Sequence, residues 1–174
     1  MGESNGFSSI EDGLAVLGTA LSAADSLIHG EYPKLSGNTL LKFGRSLETL
    51  SRKVRAAQVR LVDEIDHQGL AATQSCTSTR TLLREALTIP IGEADARVRE
   101  ARATRPQALP SGGETPAVLP VLGAAVTAGL VDPDHARTLI ATMKRLPDRL
   151  DPDSIAEAEQ TLVGSAPGCA RRPT

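Results

Sequence analysis

Aromatic residues are almost missing: Phe, Tyr and Trp make up 2% of the 174 residues, with no Trp, one Tyr and two Phe. A β-sandwich or barrel fills its pleated faces with aromatic and β-branched side chains, so this scarcity argues against an all-β chain. Cysteine is nearly missing too, and Cys76 and Cys169 stand far apart. They form neither a disulfide framework nor a metal knuckle, which fits a reducing, cytoplasmic setting. No apolar run approaches the roughly 20 residues of a membrane span. Met1 to Ile10 lacks the positive charge and apolar stretch of a secretory leader, so no membrane partner is expected. Bases are absent from residues 1–31, which carry five acids, whereas residues 42–60 carry six bases and one acid.

What is present is aliphatic and helical. Hydrophobic residues make up 40% of the chain. Ala and Leu dominate them and lose little rotamer freedom in a helix. The expected fold is all-α, with about seven helices and one long helix over about 36–67 packed as a hairpin or bundle with shorter ones. The expected domain is 1–166, with 10–69 and 78–165 as subdomains and 167–174 as a disordered or non-native tail.

The first helix runs from about Ile10 to His29, with Leu14, Leu17, Leu21, Ala24 and Leu27 at helical spacing and Gly30 as its stop. On the long helix Phe43, Leu47, Leu50, Val54, Ala57 and Leu61 form an apolar seam of the kind that pairs helices. Lys42, Arg45, Arg52, Lys53 and Arg60 project mostly from the other side, and Gly69 ends the element. Residues 70–77 read as a polar linker. A helix from Ser78 to Leu87, the turn at Thr88 to Gly92, and a helix to Thr104 follow, the last burying Ile91, Ala94, Val98 and Ala101. Pro106 stops it, and 105–114 is a Pro- and Gly-rich loop. Thr115-Pro116, Asp132-Pro133 and Asp151-Pro152 each read as an N-cap followed by Pro in the first turn. The expected inward positions are Val118, Leu119, Leu122 and Val126, then Ala136, Leu139, Ile140 and Met143, then Ile155, Ala158 and Leu162.

Catalytic chemistry finds no footing in these residues. His29, His67 and His135 stand alone near helix ends, without the convergent partners a metal needs. Asp63, Glu64 and Asp66 read as a solvated face. There is no Gly-rich phosphate loop and no nucleophile elbow. No enzyme activity, cofactor, metal or small-molecule ligand is expected. The bases are the remaining candidates for chemistry. Arg45, Arg52, Lys53 and Arg60 on the long helix could neutralise phosphates. Residues 78–104 have the outline of a helix-turn-helix, with Arg97, Arg99 and Arg102 on the second helix. Those arginines flank the apolar stripe on both sides, so helical-hairpin packing is the preferred reading of the pair.

Four segments carry a family resemblance: LSGNTLLKFGRSLETLSRKVRAAQVRLVDEIDHQG, TLLREALTIPIGEADARVREARA, LPVLGAAVTAGLVDPDHARTLIATMKRLPD and AEAEQTLVGSA. In this order, over about residues 14–166, the chain resembles the 13E12 repeat family, domain of unknown function 222. Members of that family resemble a helical region followed by an HNH endonuclease domain. HNH chemistry needs a His base and metal-binding His or Asn on a ββα unit. None is found here, and the tail from Ala166 to Thr174 departs from the family's continuing helix, so the chain reads as a truncated copy. Thr81-Leu82-Leu83 stands where many members carry a Trp. The resemblance implies a non-catalytic module that binds nucleic acid or targets a nuclease, with DNA as partner. The alternatives are a protein-interaction or self-association module working through the long helix, or a fragment with no function of its own.

Overall fold

Local capping chemistry sets most helix boundaries of the computed structural model, which describes residues 9–109, 112–147 and 149–166. The described residues form eight α-helices, as the all-α expectation requires, plus one 3-10 turn and a two-residue β ladder. They divide into two units, one ending at Gly44 and one beginning at Arg45.

In the first unit α1 spans Ile10–Ile28. The Ser9 hydroxyl accepts the Asp12 N–H at 3.1 Å, and Glu11 and Asp12 complement the positive end of the helix dipole. Tyr32–Lys34 form a single 3-10 turn. The Tyr32 hydroxyl donates to the Leu27 carbonyl at 2.6 Å, and its ring meets Phe43 edge-on with centroids 6.2 Å apart. α1 itself buries no residue. Ile10, Leu14, Leu17, Leu21 and Ile28 are between 60% and 73% exposed.

α2 covers Gly37–His67 and crosses from the first unit into the second. Its core face is not the seam that the spacing suggested. Arg55, Val59 and Val62 are buried, while Phe43, Leu47, Leu50, Val54 and Leu61 are exposed. At about 100° per residue that seam lies roughly a third of a turn away from the buried stripe. Periodicity reports that an apolar face exists, and cannot report whether the chain itself supplies the partner.

The second unit has two apolar clusters. In the first, Val59 and Val62 of α2 meet Leu83 of α4 (Thr79–Leu87) and Ala94, Val98 and Ala101 of α5 (Ile91–Thr104). The short α3, Leu70–Thr73, lies within the stretch read as a linker. In the second, Leu119 and residues of α6 (Pro120–Ala128), α7 (Pro133–Met143) and α8 (Pro152–Ser165) surround Leu122, Ala136 and Ile140. Alanines let the helices approach closely, and Gly123 more so. A Cβ built on Gly123 would stand 2.4 Å from the Thr104 carbonyl oxygen at the end of α5. The Leu119 N–H donates to the Ala103 carbonyl at 2.8 Å at the same crossing.

Two of the three Pro-based starts hold: Asp132 accepts the N–H groups of Asp134 and His135 at 3.0 Å each, and Asp151 accepts that of Ser154 at 2.9 Å. The third lies further on. Thr115 pairs with Gln107 in the small antiparallel ladder of β1 (Gln107–Ala108) and β2 (Glu114–Thr115), so α6 begins at Pro120 and Val118 is exposed. With Leu119 at its N-cap, α6 has no cap of its own. The buried Glu159 carboxylate of α8 supplies one by accepting the Leu122 N–H at 2.8 Å. Ile91 is exposed, and Met143, Ile155, Ala158 and Leu162 are half-buried, with Met143 and Leu162 lining the second cluster.

Two substitutions test this packing by urea denaturation. Glu159→Ala leaves a buried N–H unpaired and is expected to cost about 1–3 kcal/mol. Gly123→Ala forces α5 and α6 apart and is expected to cost about as much by overpacking.

Candidate functional site

The densest charged chemistry lies where α2 meets α5, and its centre is a residue that the charge pattern did not single out. Arg55 is 8% exposed. Its Nε and Nη2 donate to Glu100 Oε2 at 3.0 and 2.8 Å, and its Nη1 donates to Glu93. Glu93 also accepts from Arg97 Nε at 2.8 Å. Along the same helix pair Arg102 bonds Asp66 at 2.9 Å, and Asp66 also accepts the Thr79 hydroxyl. Arg105 reaches Asp63 at 3.3 Å. Asp63 and Asp66, read from sequence as a solvated face, are therefore half-buried partners of arginines from the next helix pair. Glu64 bonds only its neighbour Gln68, at 2.6 Å.

The seven candidate contact residues differ in how far their charge is already engaged. Arg97, Arg99 and Arg102 of α5 are paired with Glu93, Asp95 and Asp66. Arg52 lies 3.3 Å from Glu48. Lys53 Nζ donates to the Thr127 carbonyl at 2.7 Å, and its stem covers Gly129, whose φ of +73° ends α6. Arg45 and Arg60 are exposed and make no side-chain hydrogen bond or ion pair among the described residues.

A cavity of about 230 Å³ opens between α5 and α7. Arg55 and Glu100 form its inner wall, and Arg99, Arg137, Lys144 and Arg145 line it further out. Arg137 bonds Asp134 at 3.0 Å and lies 3.8 Å from Glu93. Lys144 and Arg145 have no side-chain partner among the described residues.

Burial and pairing pull the two carboxylates on Arg55 in opposite directions. Burial pushes Glu100 above its ordinary value, and the two Arg55 bonds offset this only in part. Glu93 also pays for burial, but its bonds to Arg97 and Arg55 outweigh that and hold it below the ordinary value. Asp132 is lowered because the His135 backbone and ring outweigh its burial. Asp151 is lowered by the Ser154 N–H and hydroxyl.

No group of three or more His, Cys, Asp or Glu residues able to hold a metal occurs among the described residues. His29 caps the end of α1, His67 ends α2, and His135 pairs with Asp132. Cys76 is a free thiol, and Cys169 lies outside the described residues. No helix among them is long and apolar enough to cross a membrane.

Removing Arg55 would strand two carboxylates, so Arg55→Met is expected to cost about 3–5 kcal/mol, with part restored in Arg55→Met/Glu100→Gln. The pH dependence carries opposite signs for the two acids. The contribution of Glu93 is present above the ordinary carboxylate range and is lost as the pH falls through its lowered value. Glu100 binds its proton more tightly in the fold, so its contribution is largest at low pH and declines as the pH rises through its raised value. In denaturant titrations across pH, the wild type should gain on Glu100→Gln as the pH falls through that raised value. It should lose ground to Glu93→Gln on acidification.

Comparison with known proteins adds a family and little else. No curated protein and no solved structure matches the chain. The family model "Domain of unknown function (DUF222)" matches residues 42–173, leaving α1 outside and running on through the tail read as divergent. That match covers most of the chain, taking in α2 from Lys42 onward and all of α5, and the chain therefore belongs to the DUF222 family.

Proposed function

We propose that this chain is a non-catalytic association module whose partner is a second copy of itself. The observation that carries the reading is a pair of exposed seams of identical spacing. Ile10, Leu14, Leu17, Leu21, Ala24 and Ile28 of α1 recur at four-three-four-three-four, as do Phe43, Leu47, Leu50, Val54, Ala57 and Leu61 of α2. All twelve are exposed. Such seams interdigitate as knobs into holes, and α1 and α2 present seams of equal length.

Charge selects which seam meets which. Glu11, Asp12 and Asp25 accompany the α1 seam, and no base lies on that helix. α2 carries Lys42, Arg45 and Arg60, mostly away from its seam, and residues 42–60 hold six bases against one acid. An α1–α1 or α2–α2 pair would oppose like charges, whereas α1 of one copy on α2 of the other opposes unlike ones. Two-fold symmetry then makes the second pairing automatically and closes the assembly. Burying the five large α1 side chains contributes on the order of 5–10 kcal/mol per pairing, so two pairings are of the size needed to offset an association cost of about 4–15 kcal/mol. Given the family's resemblance to regions that precede HNH nuclease domains, the module would bring two such chains together.

Sedimentation equilibrium with a mixing step tests this. The wild type is expected to dimerise. Leu17→Glu and Val54→Glu are each expected to be monomeric and helical alone. Mixed, they retain one intact α1–α2 pairing and should form a heterodimer. A wild type that stays monomeric well above micromolar concentration overturns the reading, and so does a Leu17→Glu dimer as tight as the wild type.

A second reading, contact with nucleic acid through α2, is favoured by the exposed and unpaired Arg45 and Arg60. Duplex DNA binding should then weaken with salt, and Arg45→Gln/Arg60→Gln should flatten the slope by about one to two. Absence of binding at low salt ends it.

A further inference from the structure

We propose that the cavity between α5 and α7 is a binding site for a phosphate group. It is a concavity lined by five cations, Arg55, Arg99, Arg137, Lys144 and Arg145, with Glu100 as the one acid among its lining residues. The argument rests on how the charges that line it are satisfied. Arg55 is fully engaged by Glu93 and Glu100, so it forms a rigid wall and not a free ligand. Arg99 holds Asp95 of its own helix, and Arg137 bonds Asp134 of its own helix and lies 3.8 Å from Glu93, so each fork keeps N–H donors that make no close hydrogen bond. Lys144 and Arg145, at the end of α7, have no side-chain partner among the described residues.

Two unpartnered cations beside two half-used guanidinium forks match an anion of charge near two with several acceptor oxygens. Planar N–H pairs bond two phosphate oxygens at once, and the number of cations favours a multiply charged anion over chloride or a monocarboxylate. Cations at the end of α7 also complement the negative end of its dipole, and the one acid in the cavity wall, Glu100, is already bonded by Arg55. About 230 Å³ corresponds to the liquid volume of roughly eight waters, room for a phosphate or pyrophosphate with part of its hydration. The apolar floor of Ala96 and Ile140 lowers the local dielectric, which strengthens each of these contacts.

The phosphate could be a free anion or a phosphodiester of nucleic acid, and in the latter case the proposal rests on the nucleic-acid reading above. It does not depend on self-association. The test is calorimetric titration of the full chain with pyrophosphate, alongside fluorescence anisotropy with duplex DNA at low salt. Lys144→Gln/Arg145→Gln is the cleft variant, chosen because both side chains are exposed and unpaired, so the fold should be untouched by circular dichroism. Arg45→Gln/Arg60→Gln is the variant outside the cleft. The expected result is a pyrophosphate affinity reduced tenfold or more by the cleft variant and unchanged by the other. DNA affinity that falls in the cleft variant as well identifies the source as a phosphodiester, and DNA affinity that does not fall identifies it as a free anion. No binding of either probe at millimolar concentration overturns the proposal, as does binding that the cleft variant leaves unchanged. DNA binding lost only in Arg45→Gln/Arg60→Gln, with no pyrophosphate binding, would support the α2 reading while removing the cleft.

Discussion

A buried guanidinium organises the second unit. Arg55 sits near the middle of α2 and ties it to two carboxylates on α5, Glu93 and Glu100, that are almost two turns apart. Once that registry is set, the pairs Asp66–Arg102 and Asp63–Arg105 fall into place further along the same two helices. Val59 and Val62 are then turned onto Leu83, Ala94 and Val98. A buried ion pair of this kind adds little net stability against an apolar replacement, because its desolvation offsets much of the attraction. What it supplies here is a unique rotation of α2 about its own axis, and that rotation decides which of the helix's two apolar faces becomes core.

This explains which features could be read from sequence. Helix starts at Asp132 and Asp151, and that at Ser78, depend on bonds within one turn, so the residue type alone announces them. The turn after Leu87 is equally local, though it is shorter than the expected Thr88 to Gly92, because α5 already begins at Ile91. The start of α6 was not legible, because its capping group is Glu159, thirty-seven residues away. Nor was Arg55 separable from Arg52 or Lys53: all three are bases on one helix, and only the rotation of α2 makes one interior. The acids Asp63 and Asp66 were misread for the same reason. A cluster of like charges has the same pattern whether it faces water or an arginine on the next helix. The candidate bases of α5 could be located but not weighed, since their partners Glu93, Asp95 and Asp66 compete for them.

The core itself is built from small side chains. The largest fully buried residues are Leu83, Leu122, Val59 and Val62, and alanines fill much of the rest. Small residues and Gly123 allow α5 and α6 to cross at backbone distance, so close approach stands in for bulk. Leu14, Leu17 and Leu21 of α1, and Phe43, Leu47 and Leu50 of α2, are meanwhile left at the surface.

That distribution is the reverse of what a self-sufficient helical chain would use. Scattered exposed leucines need no explanation, but two unbroken stripes of them do, because contiguous apolar surface marks an interaction site or an aggregation hazard. α1 carries acids and no base, and residues 42–60 of α2 carry six bases and one acid. Charge so arranged discourages a stripe from pairing with its own kind and leaves its complement as the favourable match. The same economy appears in the cleft between α5 and α7, where Arg55 is fully engaged by Glu93 and Glu100 while Lys144 and Arg145 have no side-chain partner among the described residues. In both places the fold satisfies its structural charges internally and leaves specific groups unmatched, which is the physical condition for recognising something outside the chain.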